Sequence, residues 1–190
     1  MLLLVRHGQT AENVQGVFLG HADPPLTDAG REQARRLAAE LPRPTLVVSS
    51  PLQRARVTAE AFGEPVRIDE RWIELDYGEL DGRSPSAVSE DMWTRWRADA
   101  SHAPPGGESL QHLGNRVRAA CADISEAAAS GTVVVVTHVS PIKAAVAWAL
   151  EVPDDVAWRM YVEDASVTRI DIEPRGPVVR WFNRGFLRDD

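Results

Sequence analysis

Four consecutive valines, Val133–Val136, constrain this chain more than any other feature. A short apolar run rich in β-branched residues, with no polar residue alternating in it, suits a strand buried on both faces of a parallel sheet. Leu2–Val5 is a second such run, Leu46–Val48 a third and Val66–Ile68 a weaker fourth. Helical periodicity lies between them. Ala34, Leu37, Ala38 and Leu41 recur at i, i+3, i+4, i+7 after a candidate N-cap at Thr27. Leu110, Leu113, Val117, Cys121, Ile124 and Ala128 repeat the pattern after Ser109. Alternating strand and helix signals predict an α/β fold of three layers, α/β/α, with a mostly parallel central sheet. Near the end, residues 166–172 and 178–182 read as two strands around the turn-rich Glu173-Pro174-Arg175-Gly176-Pro177. They predict an antiparallel hairpin on the sheet edge. Residues 83–108 are the least regular stretch, with Trp93 and Trp96 leading into Pro104-Pro105-Gly106-Gly107. They read as an insertion over the sheet, with the tryptophans in the core. At this length, one domain spanning residues 1–190 is expected.

The formal charge of −7 argues against a nucleic-acid or membrane-surface binder, because both usually present a net basic face. Any bound anion must be held by local positive charge. Cys121 is the single cysteine, which excludes an intrachain disulfide and a cysteine-based zinc cluster. No apolar run is long enough for a signal peptide or a spanning helix, so a cytoplasmic protein is expected.

In open α/β sheets, ligands bind beyond the carboxyl ends of the strands. The first strand runs into Arg6-His7-Gly8, the third run into Ser49-Ser50-Pro51-Leu52-Gln53-Arg54, and the valine run into Thr137-His138. Each residue alone has an ordinary structural reading: a histidine in a packed loop, an arginine in a surface ion pair. Two histidines and two arginines at one sheet edge require several coincidences under that reading. Together they predict a site for a small dianion, with phosphate foremost, since arginine's planar fork matches phosphate oxygens and its charge does not titrate away.

Leu4-Val5-Arg6-His7-Gly8-Gln9-Thr10, followed by Asn13, resembles the signature of the histidine phosphatase superfamily, which includes the cofactor-dependent phosphoglycerate mutases. The likeness continues through Leu26-Thr27-Asp28-Ala29-Gly30 and Ser50-Pro51-Leu52-Gln53-Arg54-Ala55. It resumes at Glu74-Leu75-Asp76-Tyr77-Gly78 with Asp81-Gly82, at Gly106-Gly107-Glu108-Ser109 and at Val136-Thr137-His138. The resemblance implies that His7 is the nucleophile, forming a phosphohistidine that water hydrolyses, and that Arg6, Arg54 and His138 surround the phosphoryl oxygens. The same cations disfavour protonation of His7. Asn13 either donates to phosphate or fixes the loop. Gly8 either lets backbone approach the ligand or is a simple turn glycine. Leu19, Gly20 and Val139 complete the substrate-binding set that the resemblance implies.

The leaving alkoxide needs a proton, and Glu74, Asp76, Glu79 and Asp81 are all candidates by acidity. The resemblance selects Glu74, beside a substrate dianion that favours the protonated carboxyl. One departure stands out. After the second histidine many relatives carry glycine, whereas this chain has Val139-Ser140-Pro141-Ile142-Lys143. That variant resembles a phosphatase domain found beside ribonuclease H in some bacterial proteins and linked to α-ribazole phosphate.

A phosphomonoesterase acting on a small phosphorylated metabolite is the expected function. A mutase would return the phosphoryl group to bound product, but the compact 83–108 segment favours access of water. A non-enzymatic phosphate-binding module would be marked by loss of His7, Arg6, Arg54 or His138, and all four are present. No H-x-H or H-E-x-x-H arrangement occurs, so no metal is expected, and no other cofactor. His21, His102 and His112 read as surface or loop residues, although His102 and Arg97 lie where they could meet a leaving group, as do Trp93, Arg95 and Trp96. The reading allows a homodimer.

Overall fold

The computed structural model describes residues 1–185; residues 186–190, which the sequence reading includes in the domain, lie outside the described residues. The strands are β1 (Leu2–Arg6), β2 (Leu46–Ser49), β3 (Val66–Ile68), β4 (Val133–Thr137), β5 (Val167–Glu173) and β6 (Gly176–Arg184). The helices are α1 (Ala11–Gln15), α2 (Asp28–Glu40), α3 (Gln53–Glu60), α4 (Glu90–Ala98), α5 (Leu110–Ser130) and α6 (Val139–Leu150), with short 3₁₀ turns between.

One sheet, in the order β3-β2-β4-β1-β5-β6, organises the chain. The pairs β3–β2, β2–β4 and β4–β1 are parallel, while β1–β5 and β5–β6 are antiparallel. The predicted α/β architecture and the C-terminal edge hairpin are therefore both present. Strand β5 is shifted by one residue from the expected 166–172, while β6 runs beyond the expected 178–182 at both ends and takes in Pro177, which an edge strand tolerates.

Strand side chains alternate between the two faces, and the core divides accordingly. Leu2, Leu4, Val133 and Val135 pack with Leu113, Val117, Cys121 and Ile124 of α5 and Ile142 and Ala145 of α6. Leu3, Val5, Val134 and Val136 pack with Leu37 of α2 and Ala55 and Ala59 of α3. Helices thus cover both faces, which is why the valine run carries no polar residue. Thr27 and Ser109 are N-caps, accepting from the N–H groups of Gly30 and His112.

The segment 83–108 is more regular than its sequence suggested. Ser89 accepts from Met92 N–H and starts α4, with Glu90 and Asp91 in its first turn and Arg95 and Arg97 in its last. That charge order complements the helix dipole. Trp96 is buried in the α5–α6 side of the core, and Trp93 packs against it with ring centroids 5.6 Å apart. Among the described residues, no helix is long and apolar enough to cross a membrane.

Candidate active site

Register brings the two histidines together. Arg6 of β1 lies opposite Thr137 of β4, so the next residues, His7 and His138, leave neighbouring strands side by side. Their ring centroids are 5.0 Å apart. Ser49 of β2 pairs with Val136, which places Ser50 beside the same edge. There Ser50 Oγ and His138 Nε2 are 2.7 Å apart.

His7 Nδ1 lies 2.7 Å from the Gly8 carbonyl oxygen. A carbonyl can only accept, so Nδ1 carries the proton and Nε2 keeps its lone pair. Arg54 donates its Nε–H to that lone pair over 3.3 Å. The rest of the Arg54 guanidinium donates to the carbonyls of Ala22 and Gly20 at 2.7 and 2.8 Å, and to Leu19 at 3.5 Å. Leu19 and Gly20 therefore hold Arg54 through their backbones. Burial, then Arg54 and Arg6, hold the His7 imidazole well below its ordinary value, the Gly8 carbonyl opposing. Burial first, then Arg54, His7 and Arg6, do the same to His138. Both rings are neutral near neutral pH.

Arg6 donates to the Val162 carbonyl at 2.7 Å and pairs with Asp164 at 2.6 Å, while its buried Nε has no partner. His138 Nδ1 is likewise buried and unpartnered. Buried polar atoms normally find a partner, and these two nitrogens beside His7 are placed to donate to one.

Glu74 is 3% exposed. Its carboxyl accepts from Leu75 N–H at 2.7 Å and from the N–H groups of Val139 and Ser140, both at 3.1 Å, the first residues of α6. The neighbouring acids do other work. Asp81 accepts from Gly20 and Ala22 N–H at 2.8 and 2.9 Å and fixes the loop that holds Arg54. Asp76 accepts from Gly78 N–H at 2.8 Å, and Glu79 is exposed.

Arg6, His7, Asn13, Leu19, Glu74 and Val139 line a cavity of about 110 Å³, with Phe18 and Tyr77 in its wall. Arg54 and His138 are wholly buried and pack directly on His7. Asn13 Oδ1 accepts from Thr10 N–H at 2.9 Å and from its hydroxyl at 3.1 Å, which fixes the loop and turns the amide NH₂ away from Thr10. At Gly8 an added Cβ would meet the Gly30 carbonyl oxygen at 2.3 Å, so the space beside this glycine is filled by α2. The glycine of Leu26-Thr27-Asp28-Ala29-Gly30 faces the same loop, since a Cβ on Gly30 would meet the Gln9 carbonyl oxygen. His21 and His112 are exposed, and His102 is half-buried. Arg97 stacks over Trp93 at 4.9 Å and lines a separate outer cavity with Asp155, Trp158 and Arg159.

Two supporting residues escaped the sequence reading. Arg116 donates to the carbonyls of Arg71, Ile73 and Glu74 at 2.7, 2.7 and 3.1 Å and forms a bidentate pair with Glu108 at 2.8 and 2.7 Å. Thr58 accepts from Gly8 N–H at 3.1 Å. Glu108 in the Gly-Gly-Glu-Ser motif was the available signal for the first; nothing in the spacing marked the second. Among the described residues, no group of three or more His, Cys, Asp or Glu side chains is placed to hold a metal ion.

Two neutral imidazoles and the guanidiniums of Arg6 and Arg54 thus gather at the carboxyl edge of a doubly covered α/β sheet. The chain belongs to the histidine phosphatase superfamily, branch 1, whose family model matches residues 2–185. It is 33% identical over 192 residues to phosphoserine phosphatase 1 of Hydrogenobacter thermophilus, covering 96% of this chain and 91% of that one. A bifunctional protein of Mycobacterium tuberculosis is 37% identical over 177 residues, 88% of this chain and 49% of the relative. The chain thus spans about half the length of that relative. A probable phosphoglycerate mutase of Salmonella paratyphi C is 33% identical over 194 residues, 97% of this chain and 88% of the relative. Among solved structures, the α-ribazole phosphatase of Shigella flexneri superposes with a TM-score of 0.82 at 30% identity, over 96% of each chain.

Proposed function

We propose that this chain, as one domain spanning residues 1–190, is a metal-independent phosphomonoesterase acting on a small phosphorylated metabolite through a phosphohistidine on His7. The observation that carries the reading is the His7 tautomer: Nδ1–H tied to the Gly8 carbonyl, with Nε2 bearing its lone pair beside Arg54. When the phosphoryl group enters, Arg54 Nε–H exchanges Nε2 for a phosphoryl oxygen. Arg6 Nε and His138 Nδ1 supply further donors; with Ser50 O–H donating to Nε2, the His138 proton sits on Nδ1. Asn13 adds its NH₂.

Nε2 attacks phosphorus, the Nε2–P bond forms and the ester P–O bond breaks. Glu74 gives its proton to the leaving oxygen. A water molecule then attacks the phosphohistidine, Glu74 takes the water's proton, and phosphate leaves His7 neutral with Nδ1–H retained. Phosphoryl transfer asks mainly for positioning and fixed positive charge, which a buried Arg54, held by backbone carbonyls, provides with no more than that change of partner.

Rapid quench with a ³²P-labelled substrate tests this directly. Wild type should yield an acid-labile, base-stable phosphoprotein, and His7→Ala none; label that survives His7→Ala sinks the assignment. Product analysis with 3-phosphoglycerate separates the hydrolase from a mutase, since only the latter returns the label to a phosphoglycerate.

A further inference from the structure

The mechanism above makes no use of Lys143, the chain's single lysine. Of the chain's 21 lysine and arginine residues, all but Lys143 are arginine. Lys143 lies on α6 and lines a second cavity, of about 160 Å³, that shares Phe18, Tyr77 and Val139 with the first. Most of the remaining wall is apolar and aromatic: Leu75, Leu110, Trp96 and Trp158, with the two indoles edge to face at 5.2 Å. Lys143 is half-buried there. Among the described residues, no hydrogen bond reaches its ammonium and no carboxylate pairs with it. Burial lowers its pKa, with the field of Glu74 opposing, but the Glu74 oxygens accept from backbone N–H groups.

The ammonium is half-buried against an apolar wall and no described carboxylate pairs with it, so an incoming anion would meet a cation whose charge is not already neutralised. Lysine presents a compact point charge on a flexible stem, suited to one anionic group in a narrow space; the planar fork of arginine demands more room. The cavity adjoins the phosphoryl site, so what occupies it is whatever hangs from the ester oxygen.

We propose that this second cavity receives the leaving group and that Lys143 binds a carboxylate on it, so that the substrate is the phosphate ester of an apolar, aromatic-sized hydroxy acid. The inference rests on the phosphatase reading of the first cavity. A three-carbon polar alcohol would leave the Trp96–Trp158 wall uncovered.

The test pairs phenyl phosphate with 4-carboxyphenyl phosphate, in wild type and in Lys143→Met. The ratio of kcat/KM for the two esters should fall about 10- to 100-fold in the variant, the worth of a charge-assisted contact. Intrinsic leaving-group reactivity cancels, because both enzymes meet the same esters. An unchanged ratio, including equal losses on both esters, overturns the proposal. A binding arm needs neither turnover nor a variant. Reductive ¹³C-methylation labels only Lys143 and the Met1 amine in the whole chain. With inorganic phosphate present, 4-hydroxybenzoate should shift the Lys143 signal and phenol should not; equal shifts overturn the assignment. Failure to hydrolyse either ester would count against the phosphatase reading, and the binding arm then decides on Lys143 alone.

Discussion

Arg54 directs its Nε–H at Nε2 of His7 from 3.3 Å, and neither side chain has more than 3% of its residue surface exposed. A permanently charged donor on a lone pair opposes protonation of that nitrogen. It does not block an exchange of partners when a phosphoryl oxygen, a better acceptor for a guanidinium, arrives.

In the unfolded chain His7 and His138 take up protons near pH 6.5, whereas burial and the neighbouring arginines keep both neutral in the folded state to well below that. The unfolded state therefore binds more protons as pH drops below about 6.5. Stability on this account is level above that pH and falls below it, by up to about 1.4 kcal/mol per pH unit for each histidine. Urea midpoints measured from pH 8 to 5 should show the decline, and His7→Gln and His138→Gln should each flatten it. A wild-type curve level down to pH 5 would contradict the neutral pair.

Glu74→Gln keeps the side chain's size and cannot deliver a proton. Turnover of an alkyl phosphate should drop by about 10²–10⁴-fold. Para-nitrophenyl phosphate, whose phenolate leaves readily, should lose much less in its phosphorylation step. Asp76→Asn should show no such contrast, and neither should Asp81→Asn, whose loss would come through the loop holding Arg54. Equal losses for both substrates in the phosphorylation step of Glu74→Gln, resolved by rapid quench, would place the acid elsewhere.

Gly30 has no room for a side chain. A Cβ there would meet the Gln9 carbonyl oxygen at 2.2 Å and the Gln9 nitrogen at 2.8 Å. Gly30→Ala should cost about 1–3 kcal/mol by overpacking. It should also lower activity at temperatures where the protein stays folded, because the displaced backbone continues from His7-Gly8. Chemical denaturation and initial rates measure the two effects separately; full activity in a folded variant would uncouple α2 from the site.

Arg116→Met removes three carbonyl contacts behind Glu74 and takes the bidentate partner from the Glu108 carboxyl, itself only 10% exposed, leaving the exposed His112 imidazole 3.3 Å from it. Breaking one partner of a buried pair costs about 3–5 kcal/mol, and Glu108→Gln in the same chain should recover part of it. If Arg116 positions the acid, the surviving activity should show the leaving-group contrast of Glu74→Gln in milder form. Loss of stability without that contrast would leave Arg116 a purely structural residue.

Much of this was readable in the sequence, because strand ends carry their chemistry with them. The runs Leu2–Val5, Leu46–Val48 and Val133–Val136 are strands, and the residues leaving them meet as expected. Other features depend on contacts that no spacing reports. Gly8 and Gly30 touch only because α2 packs beside the first loop. Arg116 looks like an ordinary helix arginine until α5 is laid behind residues 71–74. Helix α4 was masked by its flanking prolines and glycines, although Ser89 and the charge order after it were usable signals.

Sheet order has a consequence for the timing of assembly. Strands β1 and β2 do not pair with each other; β4 lies between them and joins both. The loop bearing His7 and the helix bearing Arg54 meet through Gly8 and Thr58, but the strands that carry them share no partner until residues 133–137 have been made and inserted. A growing chain on the ribosome carries both groups once Arg54 is made, and their strands stay unjoined while residues 55–137 are synthesised, since non-local strand pairing must wait for its last member. Reactivity then arises in a single late step, and partly made chains should be inert toward cellular phosphoesters.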